Sequence, residues 1–144
     1  MKFDKDRSAG FLANHMARLF AKGLQHNIKP LGLAPAQFMT LLALWEKDGL
    51  TQRELVDRLN VEQATMANTL TRMERDGLVK RRAHPQDGRS QSIHLTQKAL
   101  SLRQAAMGAA QSVNEIALGE LNDEDREVFL GLAHRVINAL KQRY

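Results

Sequence analysis

The side chains between residues 63 and 75 have the right chemistry for reading a base edge. The amides of Gln63 and Asn68 can pair bidentately with adenine, and the guanidinium groups of Arg72 and Arg75 with guanine. Their spacing puts them on a helix with two faces. Met66, Leu70 and Met73, at intervals of four and three, form an apolar stripe that faces the protein's own interior. The opposite stripe is Ala64, Asn68, Thr71 and Arg72, with Gln63, Thr65 and Arg75 at its edges. Small Ala64 lets such a helix approach its target closely. Taken singly, each of these is equally an ordinary exposed helix residue; the reading rests on the face they form together.

A second concentration of chemistry follows at once. The chain of 144 residues has a formal charge of +5. Residues 77–98 hold Lys80, Arg81, Arg82, Arg89 and Lys98 against Asp87 alone, a net +4. A solvated basic face is one account of such a run. Phosphate binding is the other, because each neutralised phosphate releases counterions. Arg89 is the expected wing contact, with Asp87 two positions earlier to hold its guanidinium or brace the loop; a weak surface Asp–Arg pair is the alternative. Arg81 and Arg82 are expected at phosphates, or as a charged strand edge that resists aggregation.

Other chemistries are excluded. With no cysteine there is no disulfide, thiolate metal site or thiol sensor. His15, His26, His84, His94 and His134 lack metal-ligand spacing, so no metal and no cofactor are expected. No Gly-rich phosphate loop or nucleophile motif marks an enzyme. The charged start does not look like a signal peptide and no apolar run could span a bilayer, so a cytoplasmic protein without membrane contact is expected.

The elements that position these groups follow from period and punctuation. Leu12, Met16, Leu19 and Gly23 give a helix over residues 9–28, ended by Pro30 and Gly32. Pro35 opens a helix with Phe38, Leu41, Leu42 and Trp45 as its buried face. Thr51 and Glu54 form a capping box before a short helix with Leu55 and Leu59 inward. A turn at residues 60–62 leads into the two-faced helix, which runs to Asp76 and is stopped by Gly77. Residues 78–83 and 90–95 read as two strands, with Ile93 and Leu95 on one side and Ser92 and His94 on the other. The polar stretch between them, residues 84–89, makes the tip of a hairpin. Thr96 caps a helix to about Gly119, with a seam of Ala99, Leu102, Ala106, Ala109, Val113 and Ile116. Asn122 caps a last helix bearing Phe129, Leu132, Val136 and Leu140.

Two short helices, a turn and a basic hairpin make a winged helix-turn-helix. A helix about 10–12 Å across fits a major groove about 12 Å wide, and the hairpin tip can reach the adjacent minor groove. The fold class is therefore mainly α, or α+β by strict count. A single domain over residues 1–144 is expected, with the winged lobe at 32–96 and helical regions at 1–30 and 97–144.

At these residues the chain resembles a known family. The run LTQRELVDRL from Leu50, VEQATMANTLTRMERDGLVKR from Val61, DGR from Asp87 and IHLT from Ile93 are similar to the MarR family of transcriptional regulators. Residues 61–70 and the Lys29-Pro30-Leu31 run most resemble its SlyA branch. The resemblance implies a homodimer on a palindromic DNA operator, most often as a repressor. Leu12, Met16, Val113, Ile116, Phe129, Leu132, Val136 and Leu140 would lie in the dimer contact. Packing within one chain is the alternative, but a helix of about 23 residues spans about 35 Å, more than the small lobe can cover. The resemblance also implies an effector pocket for a small aromatic carboxylate or phenol. The matching positions are His15, Arg18, Leu19, Phe20 and Phe38; an ordinary helix histidine and a surface ion pair are the competing roles for the first two. A winged module that binds protein rather than DNA remains the rival reading.

Overall fold

The structure, a computed structural model, describes residues 1–83, 86 and 89–144. Asp87, expected to brace Arg89, lies outside the described residues. The chain divides into two compact units, Met1–Ala110 and Gln111–Tyr144. Among the described residues there are six α-helices and one small sheet. They are α1 (Ala9–Ile28), α2 (Pro35–Glu46), β1 (Leu50–Thr51), α3 (Gln52–Leu59), α4 (Gln63–Arg75), β2 (Val79–Ala83), β3 (Gln91–Leu95), α5 (Gln97–Ala117) and α6 (Asp123–Arg143). The fold is mainly α, a winged helix-turn-helix with helices on either side of it in sequence. Among the described residues no helix is long and apolar enough to cross a membrane.

Local signals set most boundaries. Ser8 Oγ accepts the Phe11 N–H at 3.2 Å and starts α1. Thr51 Oγ1 accepts the Glu54 N–H, and Glu54 Oε1 accepts the Thr51 N–H, both at 3.1 Å. This reciprocal pair satisfies two of the orphan donors that begin a helix. Gly77 closes α4 with φ +74°, and Asn122 Oδ1 caps α6 by accepting from Asp125 N–H at 2.8 Å. Asp76 caps α4 rather than continuing it, and the hairpin strands begin one residue later than the sequence implies.

The core lies in the first unit, among α2, α3, α4, the sheet and the start of α5. Ile28, Leu41, Leu44, Leu55, Leu70, Met73 and Ile93 are fully buried in it. Two expectations need correcting. On α2 it is Leu44, not Leu42, that is fully enclosed; Leu42 is only half-buried. On β3, Ser92 is as buried as the core-facing side, with 4% exposure. The strand order β1-β3-β2, all antiparallel, explains this. β3 is the central strand, paired through Leu50↔Ile93 on one edge and Arg81↔Ile93 on the other. Neither of its edges is left open, and the small Ser92 side chain lies between its cross-strand neighbours Thr51 and Arg82.

Side-chain hydrogen bonds tie α5 to this core. Trp45 Nε1–H donates to the Ala99 carbonyl at 3.2 Å, and Asn27 Nδ2–H to the Ala109 carbonyl at 3.1 Å. Small Ala99 and Ala106, both fully buried, allow that close approach.

Gly49, between α2 and β1, has φ +80°, and a Cβ there would stand 3.1 Å from His94 Cε1. Gly32 has φ +77° with open space around the equivalent position. Both substitutions to alanine carry the left-handed penalty of about 1–2 kcal/mol. Gly49→Ala must also displace the His94 ring at the base of the hairpin. Thermal melts of the two variants should therefore show the larger Tm loss for Gly49→Ala, and equal losses would show that His94 yields freely.

Candidate nucleic-acid interface

α4 is two-faced as its spacing requires. Met66, Thr69, Leu70 and Met73 are buried, while Gln63, Ala64, Thr65, Asn68, Thr71, Arg72 and Arg75 are all exposed. Thr69 joins the buried stripe because its hydroxyl donates to the Thr65 carbonyl at 2.9 Å, which removes the cost of enclosing it. Thr71 does the same with the Ala67 carbonyl at 3.0 Å, so on the outer face its oxygen serves as an acceptor only.

Arg75 is engaged within the chain. Its Nε–H donates to Asp76 Oδ1 at 3.0 Å and its Nη2–H to Oδ2 at 3.4 Å. That pairing holds the Asp76 carboxyl below the usual aspartate range, helped by the Gln37 hydrogen bond, and raises the Arg75 guanidinium. Asp76 is in fact a hub. Gln37, 5% exposed, donates to its Oδ2 at 3.0 Å and accepts the Ala34 N–H at 3.1 Å through its own Oε1. Lys98 Nζ–H donates to the Asp76 carbonyl at 2.8 Å. The C-terminal end of α4 is thus fastened to α2 and α5. A glutamine within the apolar run of α2 was the one signal in the sequence for this hub.

The basic hairpin is less uniformly available than its count implies. Lys80 and Arg82 on β2 are exposed, and so is Arg89. Arg81 is not: its side chain is 23% exposed and its Nε lies 3.7 Å from Glu74 Oε1. With Lys98 bonded to the Asp76 carbonyl, at least two of the five cations in residues 77–98 are engaged within the chain.

The base of the hairpin is anchored by Asp48, His94 and Ser92. Asp48 Oδ1 accepts the Leu95 N–H at 2.8 Å, its Oδ2 lies 4.0 Å from His94 Nδ1, and His94 Nε2 is 2.7 Å from Ser92 Oγ. The order of groups resembles a hydrolytic triad, but the serine is buried inside the sheet and cannot meet a substrate. It works as a fastening between β3 and the turn before β1. At the start of α3, the Thr51 backbone N–H holds the Glu54 carboxyl below its ordinary range.

The expected effector residues come together only in part. His15 and Arg18 line an open depression on α1 with Phe11 and Asn14, and Phe11 meets His15 edge-on at 6.0 Å. Leu19 is exposed elsewhere on the helix and Phe20 is half-buried. Phe38 does not join them. It is 3% exposed in the core, edge-on to Trp45 at 6.1 Å.

Residues 33–91, from the approach to α2 through the start of β3, match the family model described as MarR family. The chain is 34% identical over 115 residues to the transcriptional regulator HosA of Escherichia coli O111:H-, across 80% of this chain and 84% of that protein. The chain belongs to the MarR family. MarR-family members are transcription regulators rather than enzymes. Two solved structures extend the likeness. The PcaV transcriptional regulator of Streptomyces coelicolor, in complex with its natural ligand, superposes with TM-score 0.83 at 26% identity, covering 97% of this chain and 99% of that one. Reduced AbfR bound to DNA superposes with TM-score 0.70 at 28% identity, covering 90% and 89%. The matched MarR segment contains every exposed α4 residue described above.

Of the residues expected at a dimer contact, Leu12, Met16, Ile116, Leu132, Val136 and Leu140 are exposed, while Val113 and Phe129 are half-buried. α6 has no buried residue at all.

Proposed function

We propose that the protein is a sequence-specific transcription regulator that binds palindromic duplex DNA as a homodimer and acts as a repressor. The observation that carries this reading is the exposed face of α4. Amide, hydroxyl and guanidinium groups stand outward there on a helix whose other side is locked into the core. Lys80, Arg82 and Arg89 add positive charge on the adjoining hairpin. The relative AbfR, solved on DNA, supports the DNA partner, and PcaV, solved with its natural ligand, supports an effector. The effector is a small aromatic carboxylate or phenol, with Arg18 as the anchor for its anionic oxygen and His15 one turn away.

Selection of duplexes from a random pool, with and without phenolic ligands, tests this. Affinity for the selected duplex should fall linearly with the logarithm of salt concentration, with a slope of about −0.9 for each phosphate neutralised. Affinity that is unmeasurable at low salt, or insensitive to salt, would favour a protein-binding winged module instead. Arg89→Ala should weaken operator binding about tenfold, the scale of a lost charge-assisted hydrogen bond, without unfolding the protein. Wild-type affinity in that folded variant would remove the wing from the interface.

A further inference from the structure

α3 and α4 begin on the same residue type. Gln52 is the first residue of α3 and Gln63 the first of α4. Their side chains meet: Gln52 Nε2–H donates to Gln63 Oε1 at 3.3 Å. Gln52 is half-buried and Gln63 is exposed at the leading end of the reading helix. Among the described residues nothing else bonds to the Gln63 amide. We propose that Gln52 is a positioning residue for base recognition, holding the Gln63 amide so that Gln63 reads one adenine in each half-site.

The argument is one of donor and acceptor order. Adenine presents an acceptor, N7, beside a donor, the N6 amino group, in the major groove. A glutamine matches that pattern only when its oxygen and nitrogen lie in the right sequence. An unrestrained terminal amide turns over easily, because the torsion that carries it is broad and roughly two-fold. Turning it exchanges donor for acceptor. An exposed glutamine also has several rotatable bonds to immobilise, and ordering it has an entropic cost. The bond from Gln52 restrains the Gln63 side chain before DNA arrives. It fixes the Gln63 oxygen toward α3 and occupies one of its two lone pairs, leaving the other lone pair and both N–H groups for the base. Gln52 can do this because the Thr51–Glu54 capping box fixes the first turn of α3, and the buried stripe of α4 fixes the first turn of α4. The two side chains are thus held by rigid helix ends.

This inference rests on the DNA-binding reading above, and its test separates the two. Full-length protein is titrated with its selected operator and with every single-base-pair variant of one half-site. Four proteins are compared: wild type, Gln63→Ala, Gln52→Ala and the double variant. Gln63→Ala should flatten discrimination at one A·T pair, by about tenfold, within the range of a lost bidentate contact. Gln52→Ala should flatten discrimination at that same pair by about fivefold or more and leave discrimination elsewhere unchanged. The double variant should be no worse there than Gln63→Ala alone. Gln52→Glu has no N–H to offer and accepts from the Gln63 nitrogen instead, so it should lose the adenine preference as well. Ratios between duplexes are independent of the folded fraction, so a destabilised variant still reports. Equal weakening on every duplex by Gln52→Ala, or additive losses in the double variant, would overturn the proposal and assign Gln52 to phosphate contact or packing. Wild-type protein that selects no duplex would overturn both the proposal and the reading beneath it.

Discussion

Arg72→Glu is expected to abolish sequence-specific duplex binding while leaving the protein folded. Arg72 stands on the exposed face of α4, one turn beyond Asn68, with its backbone carbonyl in the helix-closing bond to Asp76 N–H at 2.9 Å. Only the side chain reaches outward, so the substitution disturbs no core contact. A bidentate guanidinium–guanine pair contributes about 1–3 kcal/mol of discrimination. In a homodimer the loss occurs at both half-sites, so removal alone costs about 2–6 kcal/mol, or roughly thirtyfold to more than ten-thousandfold. Reversing the charge adds repulsion from the phosphates on both sides of the groove and should bring binding below the nonspecific level. Folding should change little, because exposed helix substitutions usually stay within about 0.5 kcal/mol. The new carboxylate four residues before Asp76 adds a like-charge pair worth a few tenths more. Fluorescence anisotropy on the selected duplex, with a thermal melt alongside, checks both halves. Retained operator affinity would mean that α4 does not face the DNA.

Local features of this fold were legible from sequence, and non-local ones were not. The Thr51–Glu54 box, the Asn122 cap and the stop at Gly77 each depend on residues within a few positions, so the chain announces them. The burial of Ser92 does not follow from its own strand's alternation. It follows from β1 adding to the far edge of β3, a pairing across some forty positions of sequence. The choice of Leu44 over Leu42 similarly depends on where α2 meets its neighbours. Counting charges overstated the open basic patch for the same reason. Arg81 and Lys98 find their oxygens on Glu74 and Asp76, beyond or at the boundary of the stretch that was counted. Arg75 is the local counter-example: its partner is the next residue, and an Arg-Asp pair at a helix end was readable from the start. Family resemblance places Phe38 at a ligand, but its spacing on α2 puts it on the buried face it occupies.

Seam periodicity has a further ambiguity, and α6 turns it into a measurement. A repeat of aliphatic residues shows that a face is to be covered but not by what. On α6, Val128, Leu132, Val136 and Leu140 recur at intervals of four and stay 49–55% exposed. A 21-residue helix with no buried side chain has little to hold it, since isolated helices are marginal in water. The proposed homodimer supplies such a partner, since a twofold contact brings the same face of two copies together. Covering the exposed half of one aliphatic side chain contributes about 1 kcal/mol. Leu132→Asp with Val136→Asp removes four such contributions from a symmetric pair and places four carboxylates where they must be desolvated. The dimer constant should weaken by well over a thousandfold, and sedimentation at micromolar concentration should show a monomer. None of the fully buried core residues of the winged lobe is touched, so the lobe should keep its helical circular dichroism. Operator binding should then fall by about two to four orders of magnitude, the share that linking two half-site contacts supplies. What remains should be weak binding equal on a full palindrome and on a single half-site. A double variant that still sediments as a dimer and binds the palindrome at wild-type strength would show that this face of α6 is not what joins the two copies.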